Sequence, residues 1–385
     1  MSTRPPLVVA WELTRACPLA CRHCRAEAQT DRHPAELTTA EGVRLLHDIA
    51  TAFPGAVVIL TGGEPLTRPD VLELAEQGSA LSLQLALSVD VGQLLTPETC
   101  HAIRKAGIRR LSFSLHFPDA ARCDAFAATP GFHAGALEGL ANLRREGVPF
   151  QLHTTVMRSN AGLLPRMHRL VGELGAAGWE LFFLVPTGRG RLLADEELAP
   201  AEQERVLRWL YRLQRRSSFP VKQICAPHFR RVEAQSARLR EERRPRRLTT
   251  RLTTMSRGCM AGNGFVFVSH VGDVCGCGFL PLSVGNVRDR PFSELYAHAP
   301  LFKAFRDPSR LGGACGACEY RALCGGCRAR AYAATGDPLA EEPDCAYEPT
   351  GVASGHTFGR GRSPNAGRTT AMLAGSSRSE VEAGA

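Results

Sequence analysis

Three cysteines near the N-terminus, Cys17, Cys21 and Cys24, stand in a C-x3-C-x2-C run. Thiolates bind soft metals and iron–sulfur clusters. Three of them cannot fill a four-iron cube. They leave one iron open, and an open coordination position is where a metal meets a reactant. A zinc knuckle would need a fourth ligand, and His23, inside the run, would be strained as one. A second group lies far downstream. Cys259, twelve residues, Gly272, four residues and Cys277 come first, with Cys275 inside that stretch. Cys315-x2-Cys318-x5-Cys324-x2-Cys327 follows, then Cys345 after a gap. A zinc-stapled domain is the competing reading of this second group. Thr61-Gly62-Gly63-Glu64-Pro65 offers glycines that let backbone approach a ligand closely, and a carboxylate for an ammonium group. Its bland alternative is a tight turn. Val185-Pro186-Thr187-Gly188-Arg189 brings a guanidinium, for a ligand carboxylate or for a salt bridge at a rim.

These groups need strand ends to hold them. Apolar runs at 8–13 and 57–60, and the alternation Leu81, Leu83, Leu85, Leu87, predict three strands. Residues 108–115, 150–156 and 181–185 predict three more. Helical stretches separate them. Thr38 with Glu41 forms a capping box, and Thr96-Pro97 opens a helix that Gly107 ends. Six strand–helix units predict an α/β fold with parallel strands and right-handed crossovers. Six is too few for the closed eight-unit barrel, so a partial (β/α)6 TIM-type barrel is expected. Chemistry then belongs at the C-terminal strand ends. Residues 200–217 predict a helix, and 265–269 a short strand among glycine-rich turns. The expected organisation is a barrel over 6–200, a helical and basic connector over 201–254, a cysteine-rich domain over 255–349 and a disordered tail over 350–385.

Composition narrows the class. The 385 residues are 44% hydrophobic and 22% charged, which excludes bulk disorder. No apolar run approaches the roughly 18 residues of a membrane span. The N-terminus carries no secretory pattern, so a cytoplasmic, reducing location is expected, and the eleven clustered cysteines of the fourteen are read as metal ligands rather than disulfides. The net charge is +9, and much of the basic excess sits in 229–251, where acidic residues interrupt the basic ones. A solvated helix or connector is the expected role, with nucleic-acid contact the lesser reading. Cys100, Cys123 and Cys225 stand apart and are read as buried structural residues. His153 and His228 are read as satisfied core or rim histidines.

The N-terminal cysteine run, followed by GGEP at the next strand end, resembles the signature of the radical S-adenosylmethionine (SAM) superfamily. The second group resembles its C-terminal SPASM domain, which binds up to two auxiliary [4Fe–4S] clusters. The resemblance spans about residues 6–349. It implies that Cys17, Cys21 and Cys24 hold the SAM-binding cluster, with His23 at the aromatic position of the motif. Gly62, Gly63, Glu64 and Pro65 would hold the methionyl amino group, with Ser114 and Arg189 among the other cofactor contacts. One electron, from a donor such as flavodoxin or ferredoxin, would cleave SAM to methionine and a 5′-deoxyadenosyl radical that abstracts a substrate hydrogen. Cys315, Cys318, Cys324 and Cys345 would hold a distal cluster. Cys259, Cys277 and Cys327 would hold a proximal one, with Cys275 as candidate fourth ligand.

VPTGR and the CEYRALCGGC wording resemble the haem and haem d1 branch. They point to a carboxylate-bearing small molecule as substrate, a tetrapyrrole leading. Two stretches depart from the family. His116 and Phe117 stand where relatives read aspartate and glycine, and Ala127 where they read arginine. Modification of a ribosomally made peptide is the second hypothesis; the short segment before the first strand is expected to leave no room for a leader-binding domain. A decayed iron–sulfur protein is the third.

Overall fold

The computed structural model describes residues 8–241 and 258–350. The tail beyond Thr350 and the basic stretch 242–257 lie outside the described residues. Each expected strand forms: β1 Val8–Glu12, β2 Val57–Thr61, β3 Gln84–Val89, β4 Arg110–Ser114, β5 Phe150–Val156 and β6 Trp179–Phe183. A seventh, β7 Val221–Ile224, extends them, and all seven run parallel in sequence order. The chain then returns to the other edge. β8 Phe265–Val268 pairs parallel with β1, and β9 Asp273–Cys277 and β10 Leu280–Asn286 add antiparallel strands. The cysteine-rich segment therefore continues the same sheet.

The strands alternate by face, as a period of two requires. Val58, Leu60, Leu85, Leu87, Leu111, Phe113, Leu181 and Phe183 are buried on one face. Their neighbours Ile59, Thr61, Ala86, Ser88, Ser114, His153, Glu180 and Phe182 are only partly covered. The first set packs against the helices; the second lines a hollow. The sheet curls around it. Seven strand spacings separate β9 from β6 in sheet order, about 30 Å if the sheet were flat. Yet the rings of Phe182 on β6 and Phe279 just after β9 are 6.5 Å apart.

Local signals explain the crossovers. Thr38 Oγ1 accepts from Glu41 N, and Glu41 Oε2 accepts from Thr38 N, starting the helix Thr39–Ala52. Thr96 caps Pro97–Lys105, and Gly107 turns out of it at φ +81°. The helix Phe229–Glu241 opens the basic stretch, but it is not simply solvated. Phe229 and Val232 are buried, and Arg231 is buried against Glu204.

Candidate functional site

The cysteine loop leaves the C-terminal end of β1 and is tied back onto itself: Cys17 N donates to Gln29 O, and Gln29 N to Arg15 O. Backbone amides point at two of its sulfurs, Leu19 N at Cys17 Sγ (3.4 Å) and Ala28 N at Cys24 Sγ (3.5 Å). Amides aimed at sulfur are what a cluster thiolate uses for stabilisation. The segment after β6 clamps the same loop. Arg189 donates from N to Cys24 O, from Nε to Cys21 O (2.9 Å) and from Nη1 to Ala28 O (3.0 Å). Gly188 has φ +55°, and a Cβ there would stand 2.3 Å from Arg25 O.

Burial pushes the Cys17 thiol up to about 12 and that of Cys21 higher still. Arg189 opposes the rise at Cys21. Arg189 Nη2 and His23 Nδ1 are buried without a hydrogen-bond partner among the described residues. Three thiols, an orphaned guanidinium nitrogen and an orphaned imidazole nitrogen fit an anionic cluster and a carboxylate-bearing cofactor. His23 is stacked on Phe126 and meets His116 edge-on.

The glycines of GGEP approach the chain itself. Gly63 N donates to Thr14 O and Glu64 N to Ala16 O, both at 2.7 Å. A Cβ at Gly63 would stand 2.3 Å from Ala16 O, and one at Gly62 2.4 Å from Thr14 O. The turn is thus stitched to the root of the cysteine loop. Glu64 is fully buried, and both carboxylate oxygens are engaged: Leu66 N reaches Oε1 (3.1 Å), and Asp90 N and Val91 N reach Oε2 (2.9 Å each). Burial raises its pKa to about 7 against the pull of these amides. Pro65 is buried and begins a short 3₁₀ turn. Ser114, at the end of β4, donates its amide to Asp90 Oδ1 (2.8 Å). Cys21, His23, Asp90, Ser114, His116 and Phe126 line one small cavity.

The family-departing residues have structural partners. His116 Nδ1 accepts from Thr155 N, and Asn160 Nδ2 donates to His116 O. Phe117 packs edge-on against Phe126, and Ala127 is buried. Cys100 is core, and buried Cys123 donates to Phe117 O. His153 sits on the inner face beside Gln151 and Glu180. His228 is buried, but neither ring nitrogen has a hydrogen-bond partner among the described residues, and burial lowers its pKa to about 4.

The second cysteine group divides in two. Cys315, Cys318, Cys324 and Cys345 are electrostatic neighbours. Glu342 N points at Cys315 Sγ, Tyr320 N at Cys318 Sγ and Gly326 N at Cys324 Sγ, at 3.3 to 3.4 Å. Cys259, Cys277 and Cys327 form the other set, with Phe279 N aimed at Cys277 Sγ. Cys225 joins them as an electrostatic neighbour of Cys327 and Cys277, which sequence reading missed. Cys275 lies elsewhere. It shares a row of the inner wall with Phe267 and Ala10, and its charged neighbours are Asp273, Glu12 and Arg25. Among the described residues no three His, Cys, Asp or Glu groups could hold a single metal ion. Thiolates around a four-iron cube bind separate irons.

Arg330 is the other feature missed. It is buried on a helix after Cys327, paired with Glu342 (3.0 Å) and Asp344 (2.9 Å), and donates to Leu184 O and Cys225 O. Inside the hollow, Glu12 is fully buried among Arg25, Arg15 and His270. Burial alone would raise its pKa, but Arg25 and the other two hold it down at about 2.

Residues 11–160 match the radical SAM superfamily, and residues 259–328 match the SPASM iron–sulfur cluster-binding domain. The AdoMet-dependent heme synthase of Methanosarcina barkeri is 44% identical over 90% of this chain and 98% of its own. The chain is a radical SAM enzyme with a SPASM domain. The enzyme binds SAM and a [4Fe–4S] cluster, with auxiliary iron–sulfur clusters in the SPASM region. The pre-heme d1 synthase of Dinoroseobacter shibae is 32% identical over 89% of this enzyme and 86% of its own length. The crystal structure of Streptococcus suis SuiB with its precursor peptide SuiA has the same fold, with a TM-score of 0.69 at 16% identity, covering 89% of this enzyme and 76% of SuiB. Among the described residues no helix is long and apolar enough to cross a membrane.

Proposed function

We propose that this radical SAM enzyme oxidatively modifies a carboxylate-bearing tetrapyrrole of haem type inside the curled sheet. The shape and lining of the hollow carry the reading. Its wall carries small side chains at Ala10, Ala86, Ser88 and Ser114, of which the last three are partly exposed. Phe182 and Phe279 approach each other across it, and Arg25 stacks over Phe267 at 4.7 Å. Flat aromatic surface suits a macrocycle. Arg15 and Arg25 both pair with Glu12 at the inner rim, and guanidinium groups there suit acidic substituents. The likeness to the two named synthases supports the same substrate class.

Cys17, Cys21 and Cys24 would hold the SAM-binding cluster, which supplies reductive cleavage of SAM to a hydrogen-abstracting radical when bound. Arg189 holds the loop and directs its orphaned Nη2 to the anionic ligand. His23 walls the cofactor with Phe126. Gly62, Gly63 and Pro65 set the turn that faces the methionyl end, and Glu64 fixes that turn to the end of β3. Ser114 and Asp90 close the side toward β4. Cys315, Cys318, Cys324 and Cys345 would hold a distal cluster, and Cys259, Cys277 and Cys327 a proximal one. The reducing electron comes from an external one-electron donor such as flavodoxin or ferredoxin. Cysteines assigned to iron–sulfur clusters fit a reducing, cytoplasmic setting.

The test is anaerobic incubation of reconstituted enzyme with SAM, dithionite and a panel of carboxylate-bearing porphyrins, with and without iron. 5′-Deoxyadenosine formation with a matching mass change in one porphyrin is expected. SAM cleavage that leaves every porphyrin unchanged, while a candidate precursor peptide is modified, would move the enzyme to the peptide class.

A further inference from the structure

The curled sheet stays open between its edges, and the proximal thiols lie across that opening. Cys225 is the first residue after β7, and Cys277 is the last residue of β9. They belong to opposite ends of the strand order, yet they are electrostatic neighbours. Cys225 also has Cys327 as an electrostatic neighbour, and Cys277 is flanked by Cys327 and Cys259. The backbone around them is closely packed. A Cβ on Gly258 would stand 2.7 Å from Pro227 O and 2.6 Å from Cys324 O, and Cys259 N donates to Cys324 O.

Cys225 is held in place as well as near. Its φ is +59°, a region that non-glycine residues keep only where the surroundings over-determine it. Its carbonyl accepts from Arg330 Nη1 at 3.1 Å. Cys275, by contrast, packs with Ala10 and Phe267 and faces Glu12 and Arg25.

We propose that Cys225, rather than Cys275, is the fourth thiolate of the proximal four-iron cluster, which thereby closes the gap between β7 and β9. This rests on assigning Cys259, Cys277 and Cys327 to that cluster. Cys225 lies well ahead of the cysteine motif, so only the curl of the sheet brings it in. With four thiolates the cube has no open iron, and substrate does not ligate it.

Full-length Cys225→Ala and Cys275→Ala are reconstituted anaerobically beside wild type and compared by iron content and electron paramagnetic resonance. Cys225→Ala is expected to lose one to four of about twelve irons and, after oxidation, to show a three-iron signal. Cys275→Ala is expected to match wild type. A SAM-induced change in the N-terminal cluster's signal reports that each variant is folded. Full iron and unchanged spectra in Cys225→Ala, or a three-iron signal in Cys275→Ala, would overturn the proposal. Should Cys225→Ala not fold, the triple variant Cys100→Ala, Cys123→Ala, Cys275→Ala decides. It keeps Cys225 and is expected to retain all clusters; loss of iron there counts against Cys225. If Cys259→Ala and Cys277→Ala lose no iron at all, it is the proximal assignment itself that fails.

Discussion

Glu64 shows what a residue identity leaves open. GGEP was legible as a functional turn, and its glutamate reads naturally as a ligand for an ammonium group. The fold also engages both oxygens with the amides of Leu66, Asp90 and Val91. Two of those amides lie on the next strand's exit, a relation no local spacing encodes. Glu64→Ala leaves buried donors unsatisfied, at about 1–3 kcal/mol each. It should lower the melting temperature of the cluster-free protein by several degrees and weaken SAM binding. An unchanged melting curve would mean those amides find other partners. Glu12 was not singled out in the sequence at all, because its partner His270 comes from the far end of the chain. Its folded pKa of about 2 lies below the ordinary 4.5. Its stabilisation, about 3 kcal/mol, is therefore full above pH 4.5 and lost as pH falls through 2. Glu12→Gln should flatten that acid limb in urea titrations at pH 2 to 5. An acid limb identical to wild type would show that other carboxylates set it.

At the scale of elements, six strands and the capped helices were readable because burial and capping are local signals. Val58 and Leu60 alternate with Ile59, and Thr38 meets Glu41 within one turn. β7 was not readable. Its four residues, Val-Lys-Gln-Ile, carry no distinctive pattern, and pairing with β6 defines it. Motif junctions were equally hidden. Gly63 is needed because Ala16 O passes beneath it. Gly63→Ala should push the GGEP turn off the cysteine loop and weaken SAM binding at least tenfold, measured by calorimetry on reconstituted enzyme, with iron content preserved. Wild-type SAM affinity would mean the turn tolerates the shift.

For the whole molecule, the cysteine spacing announced two kinds of site but not that one sheet carries both. That depends on Val8 pairing with Phe265, a contact between residues far apart in sequence. Arg330 fastens the arrangement, joining the ends of β6 and β7 to Glu342 and Asp344. Arg330→Ala removes the cationic partner of buried Glu342 and half-buried Asp344 and should cost about 3–5 kcal/mol, seen as a lower urea midpoint and labile auxiliary iron. A midpoint equal to wild type would show that the tie is dispensable. The central claim is that Cys17, Cys21 and Cys24 hold the cluster that cleaves SAM, separately from the iron bound by the downstream cysteines. The direct measurement is 5′-deoxyadenosine release and iron content in wild type and in the Cys17→Ala, Cys21→Ala, Cys24→Ala triple variant, both reconstituted without oxygen. Wild type should hold about twelve irons and release 5′-deoxyadenosine; the triple variant should keep about eight and release none. Release of 5′-deoxyadenosine by the triple variant would contradict the account.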